Sequence, residues 1–197
     1  MILSSNLVTH LSERCNEEKA TTHLAYFYCD FRSNEPQDPI NIIGSLTSQL
    51  CSQLSCFPNE LCSAFDSSMN NSGQRRRPHF SALKQTIEVL SSDRRIILLL
   101  DALDECEGKS DLLQFISALA TDVPRISILV TSRDDPEVKS SLSLFPCVRL
   151  DNCLEEVDRD IQSYISYRLD TDPKLQWLNA TVKADITQTL RSKSSGM

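Results

Sequence analysis

The segment Arg94 to Glu105, RRIILLLDALDE, constrains the fold more than any other stretch of the chain. Its apolar run, Ile96 to Leu100, is continuous and bounded by charge. A strand with one face in water alternates apolar and polar residues, so an unbroken run of this length belongs to a strand covered on both faces, as in a parallel sheet flanked by helices. A second run, Ile126 to Thr131 (ISILVT), has the same character. Between them Asp111 to Ala120 has helical periodicity and supplies a crossover of the length that parallel neighbours need. Arg94 to Leu100 and Ile126 to Thr131 are therefore predicted to be adjacent, parallel and buried.

The remaining segments extend the alternation of strands and helices. Leu3 to Arg14 places Leu3, Leu7, Val8 and Leu11 on one helical face. Thr22 to Phe31 is rich in aromatic and β-branched residues and runs into the Arg32-Ser33-Asn34 turn signal, so it reads as a strand. Pro39 opens an apolar-periodic helix, Ile40 to Leu54, with Asp38 placed to cap it. A short helix is expected from Pro58 to about Met69, a polar loop from Asn70 to Pro78, and a helix from Phe80 to Leu90. Cys147 to Leu150 reads as a third short strand after Ile126 to Thr131, followed by helices Leu154 to Leu169 and Lys174 to Arg191. This order predicts an α/β fold with a doubly wound, mainly parallel sheet. Residues 1–197 form one domain, with the sheet core over about 1–153 and C-terminal helices over 154–197.

Charge and composition exclude several classes. With 27 acidic and 20 basic residues the net charge is −7, which does not make a nucleic-acid surface. The one dense basic run, Arg75 to Arg77, lies among the turn formers Asn70, Asn71, Gly73 and Pro78. It reads as a solvated loop rather than a phosphate clamp and is given no role. The longest apolar run is too short to span a bilayer, so no membrane partner is expected. The eight cysteines are scattered without a CxxC pair, which fits buried thiols in a cytoplasmic, reducing compartment.

Chemistry concentrates where the two apolar runs end. Asp101 stands at the carboxyl end of its strand, where open α/β sheets bind ligands, and is a candidate Mg²⁺ ligand. Asp104 and Glu105 add carboxylates able to orient a hydrolytic water, and Ala102 leaves room for a phosphate. The plainer reading is a strand running into an acidic helix cap. The second strand closes on LVTSR, hydroxyls followed by Arg133, whose guanidinium suits a terminal phosphate. Its plainer reading is an ion pair with Asp134 or Asp135.

These residues together resemble the STAND class of P-loop NTPases, and most closely the NACHT domains of fungal NLR-like and nephrocystin-like proteins. The carriers are AYFYCDF at Ala25 to Phe31, DPINIIGSLTSQL at Asp38 to Leu50, RRIILLLDALDEC at Arg94 to Cys106, ILVTSRDDPEV at Ile128 to Val138, and VRLD at Val148 to Asp151. The resemblance implies that Asp101 is the Walker B aspartate holding Mg²⁺ through water. It likewise implies that Asp104 or Glu105 is the catalytic acid and that Arg133 is the sensor arginine. ATP or dATP would be the bound nucleotide, and its binding a switch for protein partners or self-association, reset by slow hydrolysis.

The chain departs from that family in one respect: GxxxxGK[ST] does not occur in it. Gly108-Lys109-Ser110 follows the Walker B segment, and Leu103 stands five positions before Gly108, so this is a decoy. The family's pattern places Ile2 to Leu11 directly after the P-loop, so the chain is expected to begin just past that loop and to lack the strand preceding it. By resemblance that strand would lie between those of Arg133 and Val148. Without the loop's amides and lysine, Asp101 and Arg133 should bind ATP·Mg²⁺ poorly and the ATPase should be inactive in this chain alone. A nucleotide-independent interaction fragment, or the product of a truncated gene model, is the alternative function.

Overall fold

A computed structural model of the protein describes residues 2–17, 21–30, 38–55, 57 and 79–194. The helix and loop expected over 58–78, with Arg75 to Arg77, lie outside the described residues. The chain divides into two compact units, residues 1–145 and 146–197.

The first unit is a parallel α/β domain. Its elements are α1 (Ile2–Glu17), β1 (Thr22–Tyr28), α2 (Pro39–Ser52), α3 (Phe80–Ser91), β2 (Arg95–Asp101), a 3-10 turn (Leu103–Glu105), α4 (Lys109–Asp122), β3 (Ile126–Val130) and α5 (Pro136–Ser141). The strands pair in the order β1-β2-β3. Both pairings are parallel, with Leu24 beside Ile97, Tyr28 beside Asp101, and Leu100 beside Val130.

β2 is the central strand, and its Ile96, Leu98, Leu99 and Leu100 are all buried. Because side chains alternate across a strand, Ala25, Leu98 and Leu100 share one face and pack into the main core with Ile42, Leu46, Ile87, Leu112 and Ile116 from α2, α3 and α4. Leu24, Leu99 and Asp101 project to the other face. There α1 packs on β1 and brings Val8 and Ser4 into burial.

The capping chemistry agrees with the sequence. Asp38 Oδ1 accepts the Asn41 amide at 2.9 Å with Pro39 at the first helical position. Before α4, Gly108 has φ 60°, a left-handed conformation that glycine adopts without Cβ strain. The α2 residues Gln49 and Gln53 close the outer edge of β1. Gln53 exchanges two bonds with Leu24, at 3.2 and 2.7 Å, and Gln49 two with Tyr26, at 3.1 and 2.9 Å. Each amide thus takes the place of a neighbouring strand's N–H and C=O.

Three expectations need correction. β3 is adjacent and parallel to β2 but is not buried on both faces: its residues alternate between half-buried and exposed, with Leu129 40% exposed. It is an outer strand of the sheet, and α1 covers the opposite face at β1. Cys147 to Leu150 is not a strand, and Val148 and Leu150 are exposed. The Arg149 and Leu150 carbonyls instead accept the Asn152 and Cys153 amides, at 3.1 and 2.9 Å, in the 3-10 turn that starts at Leu150. The last helix starts six residues later than its apolar spacing indicates. Asp172 Oδ1 instead accepts the Lys174 amide in a turn, and Asn179 Oδ1 caps the helix through Val182 N at 2.9 Å.

The second unit holds a 3-10 turn (Leu150–Asn152), α6 (Leu154–Thr171) and α7 (Ala180–Ser194). Asp158 pairs with Arg191 at 2.5 Å and Asp170 with Lys183 at 2.9 Å, so the two helices run antiparallel. No helix among the described residues is long and apolar enough to cross a membrane.

Candidate functional site

Asp101 ends β2 with its carboxylate buried, 3% exposed. Two hydroxyls donate to its Oδ1: Thr131 Oγ1, just past the end of β3, at 2.6 Å, and Ser4 Oγ from α1. Thr131 also accepts the Ala102 amide at 3.0 Å. Its backbone carries the ladder beyond the strands, donating to Leu100 O and accepting from Leu103 N, both at 2.9 Å.

Ala102 turns the chain out of the sheet in a left-handed conformation, φ 56° and ψ 49°, unusual for a residue with a Cβ. The fully buried Leu103 then anchors the 3-10 turn. That turn holds Asp104 and Glu105 against the loop after β3. Arg133 N donates to Asp104 Oδ1 at 3.0 Å, Arg133 Nη2 to Glu105 Oε1 at 3.0 Å, and Arg133 Nε lies 3.6 Å from Asp104 Oδ2. The two acidic side chains are 12% and 16% exposed and the Arg133 side chain 78%, so sheltered carboxylates hold the root of a solvent-facing cation.

A second cluster lies beside them. Asp135 caps α5 by accepting Glu137 N and Val138 N at 2.9 and 3.1 Å, and its other oxygen takes the Lys109 ammonium at 2.5 Å. The Lys109 bond, helped by the two amides, holds the Asp135 carboxyl below the usual carboxylate range. The Lys109 ammonium is pushed up chiefly by Asp135, with Glu137 and Asp104 adding to it. Tyr28, beside Asp101 in the register, has its phenol pKa raised first by burial and then by Tyr26 and Asp101, so it stays protonated.

The structure thus joins Asp104, Glu105 and Arg133 directly, and links Asp101 to them through Thr131 and the Ala102 turn. Arg133 pairs with neither Asp134, which takes Lys139, nor Asp135, which takes Lys109. Sequence reading missed Ser4. Its signal was the spacing to Val8 and Leu11, which puts it on the buried helical face.

Among the described residues no three His, Cys, Asp or Glu side chains converge as a ready-made metal cage. The donors at Asp101 are all oxygens, from one carboxylate and the hydroxyls of Ser4 and Thr131. Such a set suits a hard cation that keeps most of its own water, as Mg²⁺ does.

The fold and this site define a parallel α/β domain whose polar residues gather at the carboxyl ends of its strands. The chain matches the nephrocystin 3 N-terminal family over residues 1–133 and belongs to that family. No curated protein matches the chain.

Proposed function

We propose that this domain is a nucleotide-responsive regulatory module of the NACHT/STAND P-loop type, an ATP-dependent switch for protein association. The observation that carries the reading is the arrangement at the ends of β2 and β3. A buried Asp101 held by two hydroxyls adjoins the sheltered pair Asp104 and Glu105, with the exposed Arg133 guanidinium over them. Asp101 would hold Mg²⁺ through water, and Asp104 or Glu105 would orient the attacking water. Arg133 would leave its acidic partners for a terminal phosphate. Bound Mg²⁺ would neutralise charge on the phosphates.

The same residues set the limits of the reading. They address the metal and the terminal phosphate, but the 197-residue sequence contains no GxxxxGK[ST] to cradle the rest. One carboxylate acting through water and one solvated arginine contribute a few kcal/mol, so the chain by itself should bind ATP·Mg²⁺ no tighter than about millimolar. Hydrolysis should stand at background.

Calorimetric titration of ATP·Mg²⁺ into the chain, and into the chain with a β-strand and P-loop added ahead of Ile2, tests this. The extended protein should bind orders of magnitude more tightly, and Asp101→Asn should weaken its Mg²⁺-dependent binding. Micromolar binding by the unextended chain that Asp101→Asn abolishes would show the loop to be dispensable. No binding by the extended protein would favour the nucleotide-independent interaction fragment.

A further inference from the structure

Cys29 and Cys106 are 77 positions apart in sequence, yet the structure joins them as a disulfide with their Cα atoms 5.8 Å apart. That separation lies inside the range a disulfide needs. Both are buried, at 5% and 7% exposure. The expectation of isolated buried thiols holds for their burial and fails for their pairing.

The position of the pair gives it consequence. Cys29 is the first residue past β1, and its amide still donates to Asp101 O at 3.0 Å. Cys106 closes the 3-10 turn, its amide donating to Leu103 O at 3.2 Å. On the β3 side this turn is held by Leu103 N to Thr131 O and by Arg133 N to Asp104 Oδ1. On the β1 side the sulfur link ties the far end of the turn to the strand. A covalent bond there fixes the segment that carries Asp104 and Glu105 between two strands.

We propose that Cys29 and Cys106 are a reversible two-electron redox pair: oxidation by a peroxide clamps the acidic turn to the end of β1, and reduction by a dithiol releases it. The proposal concerns the mobility of the turn and does not depend on nucleotide binding. In the oxidising direction one cysteine thiolate attacks the peroxide O–O bond, forming a sulfenic acid and releasing water once the leaving hydroxide is protonated. The second thiolate attacks that sulfur and expels hydroxide, which becomes a second water. Two thiols and one hydrogen peroxide give one disulfide and two waters, with both electrons passing to the peroxide. A dithiol reverses the link by exchange, returning a hydrogen to each cysteine and becoming a cyclic disulfide. Peroxide is small enough to reach buried sulfurs when the turn opens locally. Among the other described cysteines, Cys51 is a free thiol whose pKa burial raises, and Cys147 is a free, exposed thiol.

The test uses the whole chain. Samples treated with hydrogen peroxide or with dithiothreitol are freed of reagent, denatured, alkylated with N-ethylmaleimide and mapped by peptide mass. Cys29 and Cys106 should resist alkylation and appear in one linked peptide after peroxide, and both should label after dithiothreitol. Reduction should lower Tm by roughly 5–10 °C. It should also speed hydrogen exchange at the Leu103, Glu105 and Cys106 amides by about 10-fold or more. Cys29→Ser and Cys106→Ser should lose the redox dependence of Tm. Should either variant fail to fold, mapping and hydrogen exchange on the unsubstituted protein decide the matter. Full alkylation of both cysteines after peroxide has consumed Cys147 would overturn the pair. A linked peptide with unchanged Tm and unchanged exchange in the turn would overturn the clamp.

Discussion

The Thr131 hydroxyl donates to Asp101 Oδ1 at 2.6 Å while accepting the Ala102 amide at 3.0 Å, so one side chain ties the end of β3 to the carboxylate and to the turn that follows it. Valine has nearly the same shape and neither bond. Thr131→Val leaves the buried carboxylate short of a donor and the Ala102 amide short of an acceptor, and should cost about 1–3 kcal/mol in urea unfolding. Thr131→Ser keeps the hydroxyl and should recover most of that loss. Equal costs for the two variants would assign the effect to the methyl group.

Among the described strands β1 stands at an edge, and Gln49 and Gln53 of α2 take a neighbouring strand's place with four bonds to Leu24 and Tyr26. Replacing either by Ala should lower stability by about 1 kcal/mol, since each removes bonds that water partly replaces. The double variant exposes a bare run of strand amides and should self-associate more readily, as light scattering would show. A double variant as stable and monodisperse as the parent would mean that solvent serves the edge equally well.

Ala102 holds φ 56°, where a Cβ crowds the following carbonyl at a cost of roughly 1–2 kcal/mol. Glycine removes the crowding but adds unfolded-state entropy. Ala102→Gly should therefore be neutral to about 1 kcal/mol stabilising, whereas Ala102→Val should be destabilising by more than about 1 kcal/mol. Thermal melts of the two variants decide it. A marked loss in the glycine variant would show that the Cβ contributes packing that outweighs the strain.

The central strand was legible because burial on both faces leaves a continuous apolar run bounded by charge: RIILLLD reads as β2 almost to the residue. ISILV has the same composition, yet β3 lies at the sheet's outer edge, because hydrophobicity records what a strand can bury and not which neighbours are present to bury it. Cys147 to Leu150 shows the same limit more sharply. The proximity of Asp104, Glu105 and Arg133 followed from their sitting just past the ends of adjacent parallel strands. Gln49, Gln53 and the Cys29–Cys106 link did not follow, because each depends on contacts between elements distant in sequence that carry no periodicity of their own, and the spacing that buries Ser4 does not say that its hydroxyl meets Asp101.

His23 is buried in β1, and its imidazole pKa is lowered first by that burial and then by Arg94, while Asp93 and the Leu50 carbonyl work the other way. The unfolded chain takes up a proton near pH 6.5 that the folded chain declines until lower pH. In that window the unfolded state holds more protons, so stability is full above about pH 6.5 and falls as pH drops below it. Urea midpoints at pH 7.5 and 5.5 should show the decline, and His23→Gln should reduce it. An identical decline in the variant would place the titration elsewhere.

Arg133 separates a structural account of the site from a functional one. Its guanidinium meets Asp104 and Glu105, but its side chain is 78% exposed, and ion pairs in water contribute little because solvent and salt screen them. Arg133→Ala should thus change unfolding stability by less than about 0.5 kcal/mol. The backbone bond from residue 133 to Asp104 survives the substitution and continues to hold the turn. If the residue is a phosphate sensor, its loss should appear in ligand selectivity. In the chain extended with a P-loop, Arg133→Ala should narrow the preference for ATP over ADP, and Arg133→Lys should restore only part of it because an ammonium lacks the planar fork. A variant that loses more than about 1 kcal/mol of stability and leaves the ATP-to-ADP ratio unchanged would make Arg133 a structural clasp for the acidic turn and remove it from the proposed switch.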